Sequence, residues 1–292
     1  AGKNPPDGAI LNYQLKATAA GPVTLEILDR SGRLVRRFSS ADKPEPLDEK
    51  ELNVPTYWVR PPRTVSADAG FHRFVWDLHY PPPAALSRGR DYPMTAILQD
   101  TPRHPLGPWG LPGQYTVKLT AGATTSTQPL TVAMDPRVKT SAEDLSRQFE
   151  LATQITAAMQ DDFKALQDVL SLRAQLKALK EKAAGGPAAS AIAALETKAA
   201  AIEGSAGGFG FGARAGAEDN LSRINGSLET LLEVVENADA KPTAAMTAAA
   251  DDVQKTLAGL LARWNDVKTR GVSSLNEDLR KAKLPPVDLT PK

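Results

Sequence analysis

GPWGLPGQYTVKLTAGATTSTQPLTVAMDPRVKTSAEDL, residues Gly107–Leu145, changes its hydrophobic period from two residues to about three and a half. Tyr115, Val117 and Leu119 alternate with Thr116, Lys118 and Thr120, Ala121-Gly122 supplies a turn, and Thr125 to Val132 returns as a threonine-rich strand. The spacing therefore predicts a hairpin. Met134-Asp135-Pro136 ends the sheet pattern, because proline cannot donate to a ladder. Ser141 with Asp144 three residues later predicts a helix start.

Composition divides at the same place. Residues 1–136 hold 18 of the 23 prolines, 11 of the 16 aromatics and all three histidines, whereas 137–292 are rich in Ala, Leu, Lys, Glu and Gln. The two parts carry 15 basic against 13 acidic residues and 20 against 21, so neither is polarised and nucleic acid is not an expected partner. The absence of cysteine excludes disulfides, thiolate metal sites and cysteine nucleophiles. No apolar run reaches the roughly 18 to 20 residues of a membrane span, and AGKNPPDGA at the amino end has no signal-peptide pattern, as expected of a processed piece.

Working back from the hairpin, Leu11, Tyr13 and Leu15 alternate with polar neighbours over Ala9 to Ala17, and Val23, Leu25 and Ile27 repeat the pattern. Arg30-Ser31-Gly32-Arg33 turns the chain into Leu34 to Phe38, with Arg30, Arg33, Arg36 and Arg37 read as a solvated edge. The run FHRFVWDLHY places Phe74, Trp76 and Leu78 on one strand face, with Trp76 as the central core aromatic. Further strands are expected near Val54 to Val59 and Thr95 to Leu98. The expectation for 1–136 is an immunoglobulin or fibronectin III-like β-sandwich with long proline-rich loops.

Forward of Ser141, Leu145, Phe149, Ala152, Ile155, Met159, Phe163, Leu166, Leu170 and Leu176 mark one helix of about 40 residues. Helices are also expected over Ala188 to Glu203, over Glu218 to Asn237, and from a first turn at Pro242 to Val267, followed by a short one capped by Ser274 and Glu277. Residues 137–292 should thus form an antiparallel helical bundle, making the whole a multi-domain β + α chain. Within it lies a glycine-rich linker at 204–216, GSAGGFGFGARAG, which carries Phe209 and Phe211.

Catalytic signals are thin. His72, His79, Asp77 and His104 do not share a strand face and a loop position that would converge on a metal. No nucleophile elbow, phosphate loop or dinucleotide fingerprint occurs, and no cofactor is expected. Asp161-Asp162 and Asp251-Asp252 sit in helical stretches, where adjacent residues point about 100° apart, and read as solvated positions. The aromatic group Tyr57, Trp58, Tyr80, Tyr92 and Trp109, with Phe209 and Phe211, supplies the candidate interaction residues, suited to packing on a partner or to stacking on sugar rings.

The stretches NPPDGAILNYQLK, GPVTLEILDRSGRLVRRFSS, YWVRPP, FHRFVWDLHYPPP, DTPRHPLGPWGLPGQYTVKLT, QPLTVAMDPRVKTSAEDLSRQF and LLARWNDVKTRGVSSLNEDLRKAKLPPVDL together resemble one family. It is the carboxy-terminal region of secreted bacterial sortilin-like or BNR (Asp-box) β-propeller proteins, often labelled glycosyl hydrolases. The propeller itself is not in this sequence, so the resemblance carries no catalytic residue over. It implies a secreted, periplasmic or cell-surface protein, a sandwich beside a helical region, and a non-enzymatic accessory role. The expected partners are an N-terminal β-propeller of the same or a companion polypeptide and a second copy met through the helical bundle, with a carbohydrate-binding accessory domain as the alternative.

Overall fold

A computed structural model describes residues 7–44, 46–52, 54–83, 97–102, 105–183, 185–204 and 219–290. Among these, 7–83, 97–153 and 236–242 form one unit, and 154–235 with 243–290 form a second. The content is mixed β and α, two small antiparallel sheets plus helices, without a closed barrel.

In the first unit β1 (Ala9–Leu15) pairs antiparallel with β4 (Gly70–Trp76), placing Leu11 opposite Phe74 and Ala9 opposite Trp76. The second sheet joins β2 (Val23–Leu28), β3 (Leu34–Ser39), β5 (Gly113–Ala121) and β6 (Thr124–Val132) in the order β3-β2-β5-β6. The predicted hairpin is β5 and β6, whose turn needs Gly122 at φ 58°. Pro129 lies opposite Thr116 on β6, an edge strand, where a missing N–H costs no ladder bond. Val23, Leu25, Ile27, Val35, Phe74, Trp76 and Tyr115 bury their side chains in one cluster fed by both sheets. Trp76 is wholly buried, donates Nε1–H to the His79 carbonyl at 3.0 Å and meets the Tyr115 ring edge-on at 5.3 Å.

Three expectations about the strands change. Val54 to Val59 is no strand: Pro55 starts a 3₁₀ turn over Thr56–Trp58, and only Val59 bridges, to Thr101. Of Thr95 to Leu98, the first two lie outside the described residues, and Ile97 opens a turn closed by Asp100 N–H. Arg36 is not solvated with its neighbours, because its guanidinium donates to the Tyr80 carbonyl at 3.0 Å and lies 5.2 Å from the Phe38 ring.

Helix α1 (Ala142–Lys182) starts where expected, with Ser141 Oγ accepting from the Asp144 amide at 3.1 Å and donating to its carboxylate at 2.9 Å. In the second unit its residues from Ile155 through Leu176 bury a stripe that is apolar except at Asp162. Helix α2 (Ala189–Glu203) buries Ile192, Leu195, Ala199 and Ile202, and Arg173 of α1 reaches both Glu196 and Glu203 on it. Helix α3 (Leu221–Glu236) begins at Asn220, whose side chain accepts from the Arg223 amide at 3.0 Å.

The start of α4 (Ala244–Asp266) is capped by Thr243, so Pro242 precedes the helix instead of opening it. Nor do Ser274 and Glu277 cap a separate helix. A π-helical turn over Val267–Gly271 carries α4 directly into α5 (Val272–Lys281), absorbing the change of face without a break. A Cβ on Gly271 would lie 2.8 Å from Leu195 Cδ1, so glycine permits the close approach of α2 there. Gly226, by contrast, lies exposed inside α3, and a Cβ added there would meet nothing within 4 Å. Gly226→Ala should therefore raise stability by about 0.8 kcal/mol, read as a shift of the urea midpoint at unchanged m-value.

Candidate functional site: a cleft around Trp109 and Glu236

The segment after β4 turns sharply. Leu78 adopts φ 63°, unfavourable for a side-chain-bearing residue, and its carbonyl accepts from Gly110 N–H at 2.6 Å. Tyr80 N–H donates to the Pro108 carbonyl at 2.9 Å, so 105–110 is laced to 78–80 by main-chain bonds. His79 is buried between them. Its Nδ1 lies 2.5 Å from the Gly107 carbonyl oxygen, which can only accept, and this assigns a proton to Nδ1. Burial holds its pKa below the ordinary histidine value, partly opposed by the Gly107 carbonyl. The His79 and Trp109 rings lie 3.8 Å apart, covering one side of the indole.

Trp109 N–H then donates to Glu236 Oε2 at 2.8 Å. Glu236 is the last residue of α3, and its segment is fixed over the first turns of α1 by two bonds. Thr140 Oγ1 donates to the Asp239 carbonyl at 2.5 Å and Gln148 Nε2 to that of Ala238 at 2.6 Å. Tyr80 faces Phe149 of α1 at 5.2 Å between ring centroids.

These elements enclose a cleft of about 130 Å³, the space of a single six-membered ring, lying wholly within the first unit. Leu78, Leu111, Val132, Met134, Leu145 and Phe149 give it apolar walls, while Gln148, Glu236 and Asp239 supply the polar part. Burial pushes the Glu236 carboxyl up to about 7, only partly offset by the Trp109 N–H and reinforced by the charge of Asp239. A half-buried carboxylate short of positive charge favours a ligand that brings a cation or an N–H donor on an apolar body.

Of the expected interaction residues, Tyr80 and Trp109 are brought together here. Tyr57 and Trp58 sit apart from this lacing, on the 3₁₀ turn, with rings 6.0 Å apart and tilted by 40°; Tyr57 is 63% exposed. Tyr92, Phe209, Phe211 and His104 lie outside the described residues. His72 packs on Tyr13 at 5.0 Å, and Asp77 lies 3.5 Å from Arg63 and 3.8 Å from Arg60. Among the described residues no three His, Asp or Glu side chains are grouped to hold a metal ion.

Sequence reasoning misses Phe149, which it assigns to the helix stripe alone, and Glu236, which it leaves unremarked. A signal for Glu236 exists: an acid at a helix carboxy end opposes the macrodipole and calls for a local reason. Trp109 should report on it. A fluorescence transition with its midpoint at about 7 is expected in the native chain and absent from Glu236→Gln, with any His79 transition falling lower. No family model matches this chain, and no curated protein or solved structure matches it either.

Proposed function

We propose that this chain is a non-catalytic accessory module of an exported β-propeller protein, and that the Trp109–Glu236 cleft is where a partner inserts one side chain. The observation that carries this reading is the cleft's chemistry, apolar walls around a carboxyl held near 7. A lysine or arginine of the partner satisfies both, its aliphatic stem on Phe149 and Met134 and its N–H on Glu236. The family resemblance points to the propeller as the source of that side chain and to secretion, the periplasm or the cell surface as the setting. In the same reading the two sheets on one core are a reduced immunoglobulin-like sandwich and the helices an antiparallel bundle.

Light scattering of the chain mixed with the propeller portion tests it. A one-to-one complex is expected; two indifferent monomers would end the proposal. The 63% exposure of Tyr57 beside Trp58 favours a second reading, carbohydrate binding on that turn. It predicts glycan-array binding lost on Trp58→Ala and retained on Glu236→Gln.

A further inference from the structure

After α5 the chain reverses at Lys283, a non-glycine residue at φ 56°, and Leu284 N–H closes the helix end on the Leu279 carbonyl at 2.9 Å. Pro285-Pro286 then leads into an extended strap whose main chain is gripped by two side-chain amides. Asn276 of α5 accepts from Val287 N–H at 2.8 Å and donates Nδ2–H to the Val287 carbonyl at 3.0 Å. Gln175 of α1 does the same to the next residue, accepting from Asp288 N–H at 3.0 Å and donating Nε2–H to its carbonyl at 2.7 Å.

A carboxamide presents one donor and one acceptor side by side, like a peptide group, so the two amides replace the neighbouring strands that the strap lacks. The main chain is held without regard to sequence. Selectivity comes from Val287, whose side chain is 5% exposed.

We infer that the Gln175–Asn276 clamp is a binding site for an extended peptide segment, filled in the monomer by the chain's own 284–290 and in a dimer by the same segment of a second copy. Two features favour exchange. The clamp's contacts are the same whichever copy supplies the strap, so swapping costs none of them and gives up only the turn that closes the helix end, the Leu284–Leu279 bond included. The hinge is short and carries its left-handed conformation on a lysine, and opening lets Lys283 relax to an extended φ.

The full chain has no cysteine, so exchange is read free of disulfide dimers. Refolded at high concentration and sized by light scattering, it should give a slowly dissociating dimer. Lys283→Gly removes the hinge penalty from each of two monomers and should raise the dimer dissociation constant at least about 30-fold. Val287→Asp alone and the Gln175→Leu, Asn276→Leu double variant alone should stay monomeric, yet form a heterodimer on mixing, since one strap and one clamp remain intact between them. A labelled peptide with the sequence of residues 283–290 should bind Val287→Asp and not the double variant. A native chain that stays monomeric after refolding would overturn the inference, as would a dimer indifferent to Lys283→Gly. Both of those arms stand if a clamp variant fails to fold by circular dichroism.

Discussion

Asp162→Asn is expected to flatten the pH dependence of stability and to make the protein more stable than the native chain above neutral pH. Asp162 is fully buried on α1, with Oδ2 accepting from Asn225 Nδ2 of α3 at 3.0 Å and Oδ1 without a hydrogen-bond partner among the described residues. Burial pushes its carboxyl from 3.8 to about 7, outweighing the Asn225 bond, and the charge of Glu229 adds to the rise. The folded state thus holds its proton more tightly than the unfolded chain. The corresponding stability is fully present below pH 3.8 and is lost as pH rises through 7, an effect of about 4 kcal/mol at full extent.

Asparagine keeps an acceptor for Asn225 and carries no charge to desolvate. Urea unfolding at pH 4, 6 and 8 should find the two proteins within about 1 kcal/mol at pH 4 and the variant ahead by about 3 kcal/mol at pH 8. A variant weaker than the native chain at pH 8 would mean that the ionised Asp162 is paired and stabilising.

Gly107→Ala is the second large effect, with the opposite sign. A Cβ at this position would lie 2.3 Å from the Pro81 carbonyl oxygen and 2.4 Å from that of Tyr80. Both are main-chain atoms, so no side-chain rotation relieves the clash. The segment must lift, which removes the His79–Gly107 and Tyr80–Pro108 bonds and carries Trp109 away from Glu236. A loss of about 3 kcal/mol is expected, with the pH-dependent Trp109 signal abolished. Gly21→Ala, where nothing lies within 4 Å, should leave both readouts unchanged.

The parts of the fold legible in the sequence are those whose signal is local. Alternation over Tyr115 to Leu119 with a following Ala-Gly specifies the β5–β6 hairpin, and a proline-free run after Ser141 specifies α1, whose 41 residues match the expected length. The 3₁₀ turn at Thr56–Trp58 is hidden because Val54 to Val59 has β-favouring residues, and Pro55 outweighs their propensity. Asp162 is obscured by its neighbour. Asp161 is exposed as expected of the pair, but Ile155, Met159, Asp162, Leu166 and Val169 step by four, three, four and three along the buried seam. The carboxyl occupies a core position of a heptad, which adjacency to another aspartate conceals.

The cleft is legible only in fragments. Trp109 and Tyr80 stand out as aromatics near prolines, but Glu236 meets Trp109 across 127 positions of sequence, and no local pattern records that meeting. Its chemistry comes from desolvation, a property of the surrounding fold and not of the residue.

A binding isotherm tests most directly whether this cleft is where a partner is held. The propeller portion is titrated into the native chain and into Glu236→Lys, with thermal unfolding of both recorded beside it. Lysine puts a like charge where the incoming cation or N–H donor must sit, so affinity should fall at least tenfold, about 1.4 kcal/mol, while the variant stays folded. Equal affinities for the two folded proteins would contradict a binding role for the cleft.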